Sequence, residues 1–168
     1  MCEYDDNDEE DLEEPWERED RFRKAASLEQ LLGSFFCYVE KSQSGDAHCD
    51  QGFNGISQLG WEFKTRFANE TGFDQQRFDT LLEAYRHAVS SSSMYERRGE
   101  WSMATYCARS ADQASDALWT FLSQTAVFKA DSRNQGTERV RHAELMHRRE
   151  LASGGKRPFD GYYRLPSN

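Results

Sequence analysis

Isoleucine and valine, which fill the interior of most β-sheets, are nearly missing from this chain. One isoleucine and four valines stand among its 168 residues. Branched apolar side chains pack well on pleated strands, so a sheet protein needs many of them. Leucine, alanine, glutamate, glutamine and arginine, which favour helices, are frequent. The composition therefore predicts an all-α fold, a four- or five-helix bundle.

Long apolar runs are also absent, and no stretch has the length and hydropathy of a membrane span. The first residues are acidic, whereas a secretory signal begins basic and continues apolar. The cysteines have neither the close spacing of zinc ligands nor the pattern of a disulfide framework. They are Cys2, Cys37, Cys49 and Cys107. We expect a cytoplasmic protein with reduced thiols, no cofactor, no bound metal and no membrane partner.

The charge of the chain is concentrated at its start. Residues 1–20 contain twelve aspartates and glutamates against the single basic residue Arg18, although the whole chain has a net charge of only −9. Like charges at this density repel each other and bury little apolar surface. The sequence therefore predicts an acidic, extended N-terminal arm over residues 1–24. A helical bundle over 25–153 and an irregular aromatic tail over 154–168 follow it.

Apolar residues recur at helical spacing through the bundle. Ser27 and Gln30 have the spacing of a capping box at the start of the first helix. Gly99 separates the third helix from the fourth, which predicts an antiparallel hairpin. The fourth has two neighbouring apolar faces, which predicts a central position. The predicted helices cover 28–42, 54–70, 74–98, a segment that begins at Glu100, and a peripheral helix over 138–152.

Motifs of the common enzyme classes are missing. The sequence has no dinucleotide-binding glycine motif, no P-loop, no G-x-S-x-G and no H-E-x-x-H, which argues against dehydrogenases, kinases and common hydrolases. Arg141 and His147 have the Arg-x(4 to 6)-His form of HEPN-type ribonucleases, which are small all-α domains. The segment from Glu96 to Tyr106 is similar to the central hairpin of that family. The resemblance implies metal-independent RNA cleavage by Arg141 and His147, and this is the alternative function.

The acidic arm carries the preferred interpretation. Its carboxylates can occupy the positions that phosphates would take on a basic surface, and an adjacent tryptophan can serve as a desolvated anchor. The predicted partner-binding residues are Asp5, Asp6, Asp8, Glu9, Glu10, Asp11, Glu13, Glu14 and Trp16. They predict a non-enzymatic adaptor or inhibitor that engages a basic surface of another protein, such as a nucleic-acid groove. Direct binding of nucleic acid is disfavoured because the arm repels phosphates.

Other interpretations stay open at the level of the sequence. The arm can be a solvated tail, or it can fold back on the basic helix predicted over 138–152. The aromatic residues of the tail, from Phe159 to Leu165, also suit a structural subunit of a larger assembly. The oligomeric state does not follow from the sequence.

Overall fold

A computed structural model of the chain describes residues 14–43, 45 and 49–134. These residues form helices and no strand, which confirms the all-α prediction for this part of the chain. The predicted helix over 138–152, the tail over 154–168 and residues 1–13 of the arm lie outside the described residues. The helices are α1 (Pro15–Ala25), α2 (Leu28–Ser42), α3 (Cys49–Phe67), α4 (Gln75–Arg97), α5 (Trp101–Ser123) and α6 (Ala126–Ala130).

Helix α2 forms the centre of the described fold. Twelve of its fifteen residues are buried, and they include polar residues such as Glu29 and Ser34. A helix that is buried on all sides belongs in the core. The sequence predicted this position for the helix after Gly99, and that prediction is wrong, because the first half of α5 is largely exposed.

The backbone N–H groups at the N-terminus of α2 all donate hydrogen bonds to other protein groups. Gln30 N–H donates to Ser27 Oγ at 3.1 Å, and Ser27 N–H donates to Gln30 Oε1 at 2.9 Å. This is the predicted capping box. Leu28 N–H donates to Asp131 Oδ2 at 3.0 Å, and Glu29 N–H is 3.4 Å from Asn134 Oδ1. Because this helix end is buried, its N–H groups depend on such partners in place of water.

Helix α3 lies very close to α2. A Cβ added at Gly52 would stand 2.5 Å from the backbone N of Ser42 and 2.8 Å from the carbonyl oxygen of Tyr38. A Cβ added at Gly55 would overlap the ring of Tyr38. These two glycines allow the two helix backbones to approach. Helix α3 begins at Cys49, earlier than the predicted start at 54, because its glycine-containing first turns pack against α2.

Helices α4 and α5 form the antiparallel hairpin that Gly99 predicts. Gly99 has a φ of +73°, a conformation that favours glycine. Gly99 N–H donates to the carbonyl of Glu96 and Glu100 N–H to that of Tyr95, both at 2.9 Å. This is a Schellman motif, and Glu100 is at once the N-cap of α5. The end of α4 and the start of α5 are therefore fixed by one turn.

Two groups of aromatic rings join the helices. The first group connects α2 to the hairpin, with the rings of Phe36 and Tyr85 at 4.6 Å and those of Phe36 and Trp119 at 6.3 Å. The second group lies between α3 and the base of the hairpin. Its members are Phe63, Phe67, Phe73, Phe78 and Phe121. Both groups belong to the continuous core or pack against it.

Two short helices depart from the sequence predictions. Residues 15–24 of the predicted extended arm are helical, as part of α1. Helix α6 occupies Ala126–Ala130, where the sequence predicts no separate helix. Glu70 accepts hydrogen bonds from the N–H groups of Ala126 at 2.6 Å and Val127 at 3.4 Å. A carboxylate at a helix N-terminus stabilises a helix this short, and periodicity over five residues gives no signal for it.

Candidate partner-binding site

The structure describes two of the nine predicted partner-binding residues, Glu14 and Trp16. Both are exposed, and they lie at the start of α1. Trp16 exposes 65% of its surface to solvent. The other seven residues lie within 1–13, outside the described residues. Arg141 and His147 of the alternative site also lie outside them.

The residues around Pro15 explain why α1 begins at this position. Pro15 stands at N1, where its fixed φ suits a helix and its missing N–H group costs nothing. Glu14, the N-cap, donates its backbone N–H to Glu17 Oε2 at 3.2 Å. Glu17 is the third residue of the helix, so its side chain caps the helix N-terminus. These contacts place the last carboxylates of the acidic run at the positive end of the helix dipole. The helix therefore begins directly after the acidic segment.

The other end of α1 is fastened to the body. Phe22 is buried in the core. Arg66 of α3 donates to the carbonyl oxygens of Arg23 at 2.7 Å and Ala26 at 2.8 Å, and Arg133 donates to that of Lys24 at 3.0 Å. Two guanidinium groups thus satisfy the last carbonyls of the helix, where the dipole favours cations. Helix α1 is held at its C-terminal end and presents its N-terminal end to solvent.

Arg66 and Asp131 stand at the centre of this attachment. Arg66 also pairs with Glu62 at 2.8 Å and lies 3.8 Å from Asp131 Oδ2. Burial raises the pKa of Asp131, but hydrogen bonds from the Arg133 side chain and from the backbone N–H groups of Leu28 and Arg133 outweigh it, and the net pKa is lowered. Asp131 is therefore held as a carboxylate between the end of α1 and the start of α2.

Charges are distributed unevenly along α1. Glu14 at the N-cap and three carboxylates in the first half, Glu17, Glu19 and Asp20, outnumber the one basic residue there, Arg18, whereas the second half carries Arg21, Arg23 and Lys24. The Lys24 ammonium, 2.5 Å from Asp20, lowers the pKa of that carboxyl, and Arg23 at 3.4 Å adds to the effect. The basic end is in part neutralised internally. The acidic end, beside Trp16, continues the charge of the segment that precedes it.

The surface of α1 suits a macromolecular contact better than a small ligand. A shallow depression that is open to solvent runs along Trp16, Glu17, Asp20, Arg21, Lys24 and Ala25. All of these residues belong to one helix, so the depression has one wall and encloses nothing. Small-molecule sites are usually concave and bury most of their ligand.

In the described part of the chain no metal-ligating cluster is found, and the cysteines there are free thiols. Within residues 14–43, 45 and 49–134 no group of three or more histidines, cysteines, aspartates or glutamates is placed to hold a metal ion. Cys37 and Cys107 are buried free thiols, and Cys49 is a half-buried one. Of the helices in these ranges, none combines the length and the apolar character that crossing a bilayer requires.

The sequence did not anticipate several exposed aromatic residues. Phe53 and Trp101 are spaced three or four residues from the apolar residues of their helices, yet about half of Phe53 and two thirds of Trp101 are exposed. Trp61 and Tyr106 are exposed to a similar extent. Helical periodicity gives the face on which a residue lies but not how far the neighbouring helix extends. Between Ser90 and Ser110 the α4–α5 hairpin buries Ser92, Ala104 and Cys107, but none of these residues belongs to the continuous core.

Comparison of the chain with protein-family models, with curated proteins and with solved structures finds no match.

Proposed function

We propose that the chain is a non-enzymatic binding module whose acidic N-terminal segment engages a basic surface of a partner protein. The observation that carries this proposal is the position of Trp16. It stands exposed at the free end of an anchored helix, immediately after the run of carboxylates.

The two parts of the site have different tasks in this proposal. The carboxylates of residues 3–14 steer the chain towards a basic surface over a distance of about a Debye length, and this attraction acts mainly on the rate of association. Trp16 then supplies the apolar contact that slows dissociation, since buried tryptophans are among the strongest contributors at interfaces. Helix α1 holds Trp16 in a fixed position relative to the body, so little freedom is lost when the partner binds.

The experiment begins with capture of partners from a native cell extract at low salt, followed by titration of one purified partner. Three variants are compared with the wild type. The first replaces the eight carboxylates of residues 1–13 with their amides, which keeps the length of the chain. The second is Trp16→Ala. The third, Trp61→Ala, is the matched control because Trp61 of α3 is equally exposed.

We expect the amide variant to associate at least tenfold more slowly, and the affinity of the wild type to fall as salt is raised. Trp16→Ala should weaken binding about tenfold or more, mainly through faster dissociation. Trp61→Ala should bind as the wild type does. A partner that binds equally well after loss of the carboxylates and of Trp16 would contradict the proposal. Cleavage of added RNA by the wild type, abolished in Arg141→Ala and His147→Ala, would favour the ribonuclease alternative.

A further inference from the structure

The α4–α5 hairpin has an outer face with the properties of an interface. On α5, residues at spacings of three and four form one row, namely Met103, Tyr106, Ser110, Ala114, Ala117 and Phe121. On α4 a second row at the same spacing contains Leu81, Ala84, Ala88, Ser91 and Tyr95. Ala84, Met103 and Tyr106 are exposed, Ala88 is buried, and the other members are half-buried. We call the surface between the two rows the hairpin groove.

Two contacts show that the rows lie side by side. At the base of the hairpin, the guanidinium of Arg77, one turn before Leu81, stands 5.6 Å over the ring of Phe121. Towards the tip, Ser92 Oγ donates to the carbonyl oxygen of Ala104 at 3.0 Å. The two helices are therefore in contact along the length of both rows.

The hairpin groove lies away from α2. Helix α5 meets α2 through Trp119, whose ring is 6.3 Å from that of Phe36. Trp119 follows Ala117 by two residues, which places it about 200° further around the helix, on the opposite side. One of the two neighbouring apolar faces of α5 thus lies away from the central helix, which is why the two faces do not place α5 at the centre.

The chemistry of the groove differs from that of the remaining surface. Charged residues make up 30% of the chain, yet neither row contains one, and Arg77 stands only at one end. Met103 and Tyr106 expose 42% and 66% of their surface. Alanines and serines occupy the middle of the groove, where another helix can approach closely. Methionine and tyrosine are enriched in protein interfaces, and charged residues are depleted at their centres.

We propose that the hairpin groove binds a second copy of this chain, in an antiparallel arrangement with two-fold symmetry. In this arrangement the small residues meet near the axis. The tip of each hairpin, with Met103 and Tyr106, covers the base of the other, with Arg77 and Phe121. A tyrosine ring beside a guanidinium and a thioether beside a phenyl ring are both favourable contacts.

The charge and the size of the groove both support a second copy as the occupant. Two copies of a chain with net charge −9 repel each other, so a contact between them is least opposed on a face without carboxylates. The row on α5 spans about 27 Å at 1.5 Å per residue, and two adjacent helices are about 20 Å wide. The groove therefore offers about 500 Å² on each copy. The pair buries about 1,000 Å² or more, the size from which specific interfaces begin.

The experiment measures the molar mass of the full chain by sedimentation equilibrium over a hundredfold range of concentration. Ser110→Glu and Tyr106→Glu place a carboxylate in the groove. Ala108→Glu is the matched control, because Ala108 is exposed and lies two residues from Ser110, on the opposite side of α5. Circular dichroism verifies that each variant is folded, and Tyr106 is exposed enough to be replaced without disturbing the core.

We expect the wild type and Ala108→Glu to form dimers, and the two groove variants to raise the dissociation constant at least tenfold. Ser110→Arg should also weaken the dimer, whereas a mixture of Ser110→Arg and Ser110→Glu should restore it, because the two side chains meet near the axis. Higher salt should strengthen the dimer by screening net repulsion, opposite to its effect on the proposed acidic contact. A monomeric wild type, a dimer that persists in both groove variants, or equal disruption by Ala108→Glu would overturn the proposal.

Discussion

At the scale of single residues, the glycines of α3 show how contact decides the effect of one methyl group. Gly52 and Gly60 lie in the same helix, and an alanine at either position would favour the helical backbone by up to about 1 kcal/mol. A Cβ at Gly60 meets nothing within 4 Å, whereas one at Gly52 meets the backbone of Ser42 at 2.5 Å. Backbone atoms cannot turn aside as a flexible side chain can. The two substitutions should therefore have opposite effects on stability.

We expect Gly60→Ala to raise the free energy of unfolding by about 0.5–1 kcal/mol. Gly52→Ala should lower it by about 1–3 kcal/mol, because α3 must move away from α2. Urea denaturation followed by circular dichroism measures both values. If both variants are stabilised, or both destabilised to the same extent, the close approach of α3 to α2 at Gly52 is contradicted.

At the scale of elements, each helix end shows how much of the fold the sequence could predict. Two helix ends have local signals in the sequence, and the structure confirms both. They are the capping box of Ser27 and Gln30 and the turn at Gly99 between two long helices. Asp131 and Asn134 also satisfy the start of α2, but they lie more than a hundred residues further along the chain. A contact of that separation leaves no trace in local spacing, so the sequence could not reveal it.

The same limit explains the wrong prediction of the central helix. Periodicity identified the apolar faces of α2 and α5 but not their order in the bundle. Glu29 and Ser34 of α2 are buried although their side chains are polar, and this burial depends on neighbouring elements that local spacing does not reveal. At the candidate site, the sequence predicts that Trp16 and the adjacent acidic residues bind the partner. It could not foresee the helix that carries Trp16, because the buried Phe22 and the two arginines that hold its carbonyls come from tertiary contacts.

The junction between α1 and α2 makes stability depend on pH through Asp131. Its pKa is lowered in the folded chain, so the carboxylate stabilises the fold fully above the ordinary aspartate pKa of about 3.9. This contribution is lost as the pH falls through the lower pKa of the folded state. Asp131→Asn keeps an acceptor for Leu28 N–H but removes the charge that Arg133 and Arg66 face.

We expect Asp131→Asn to lower the free energy of unfolding by about 2 kcal/mol at pH 7, and the difference from the wild type to shrink below about pH 4. Urea titrations at several pH values test this. Asp79→Asn is the control, since Asp79 is exposed and accepts a hydrogen bond from Gln75 of its own helix. It should change stability by less than about 0.5 kcal/mol. A difference for Asp131→Asn that is constant from pH 7 to pH 2 would contradict the assigned role.

At the scale of the whole molecule, charge and scaffold are separate along the chain. Residues 1–13 contain eight carboxylates and no basic residue, so the rest of the chain has a formal charge of only −1. The core of the described residues begins at Phe22 and is built from α1 to α6. Surface ion pairs contribute about 1 kcal/mol or less each, so this charge should matter little for folding. It should matter for how the chain meets other molecules.

Replacing the eight carboxylates of residues 1–13 with their amides tests this separation without changing the length of the chain. We expect the free energy of unfolding to change by less than about 1 kcal/mol, because the core and the attachment of α1 through Phe22 and Arg66 are unaltered. Solubility near pH 7 should fall, because a formal charge of −1 no longer keeps copies apart. Denaturation curves and saturation concentrations measure the two effects. A loss of several kcal/mol would mean that the acidic segment is part of the scaffold, and the binding function proposed for it would then lose its physical basis.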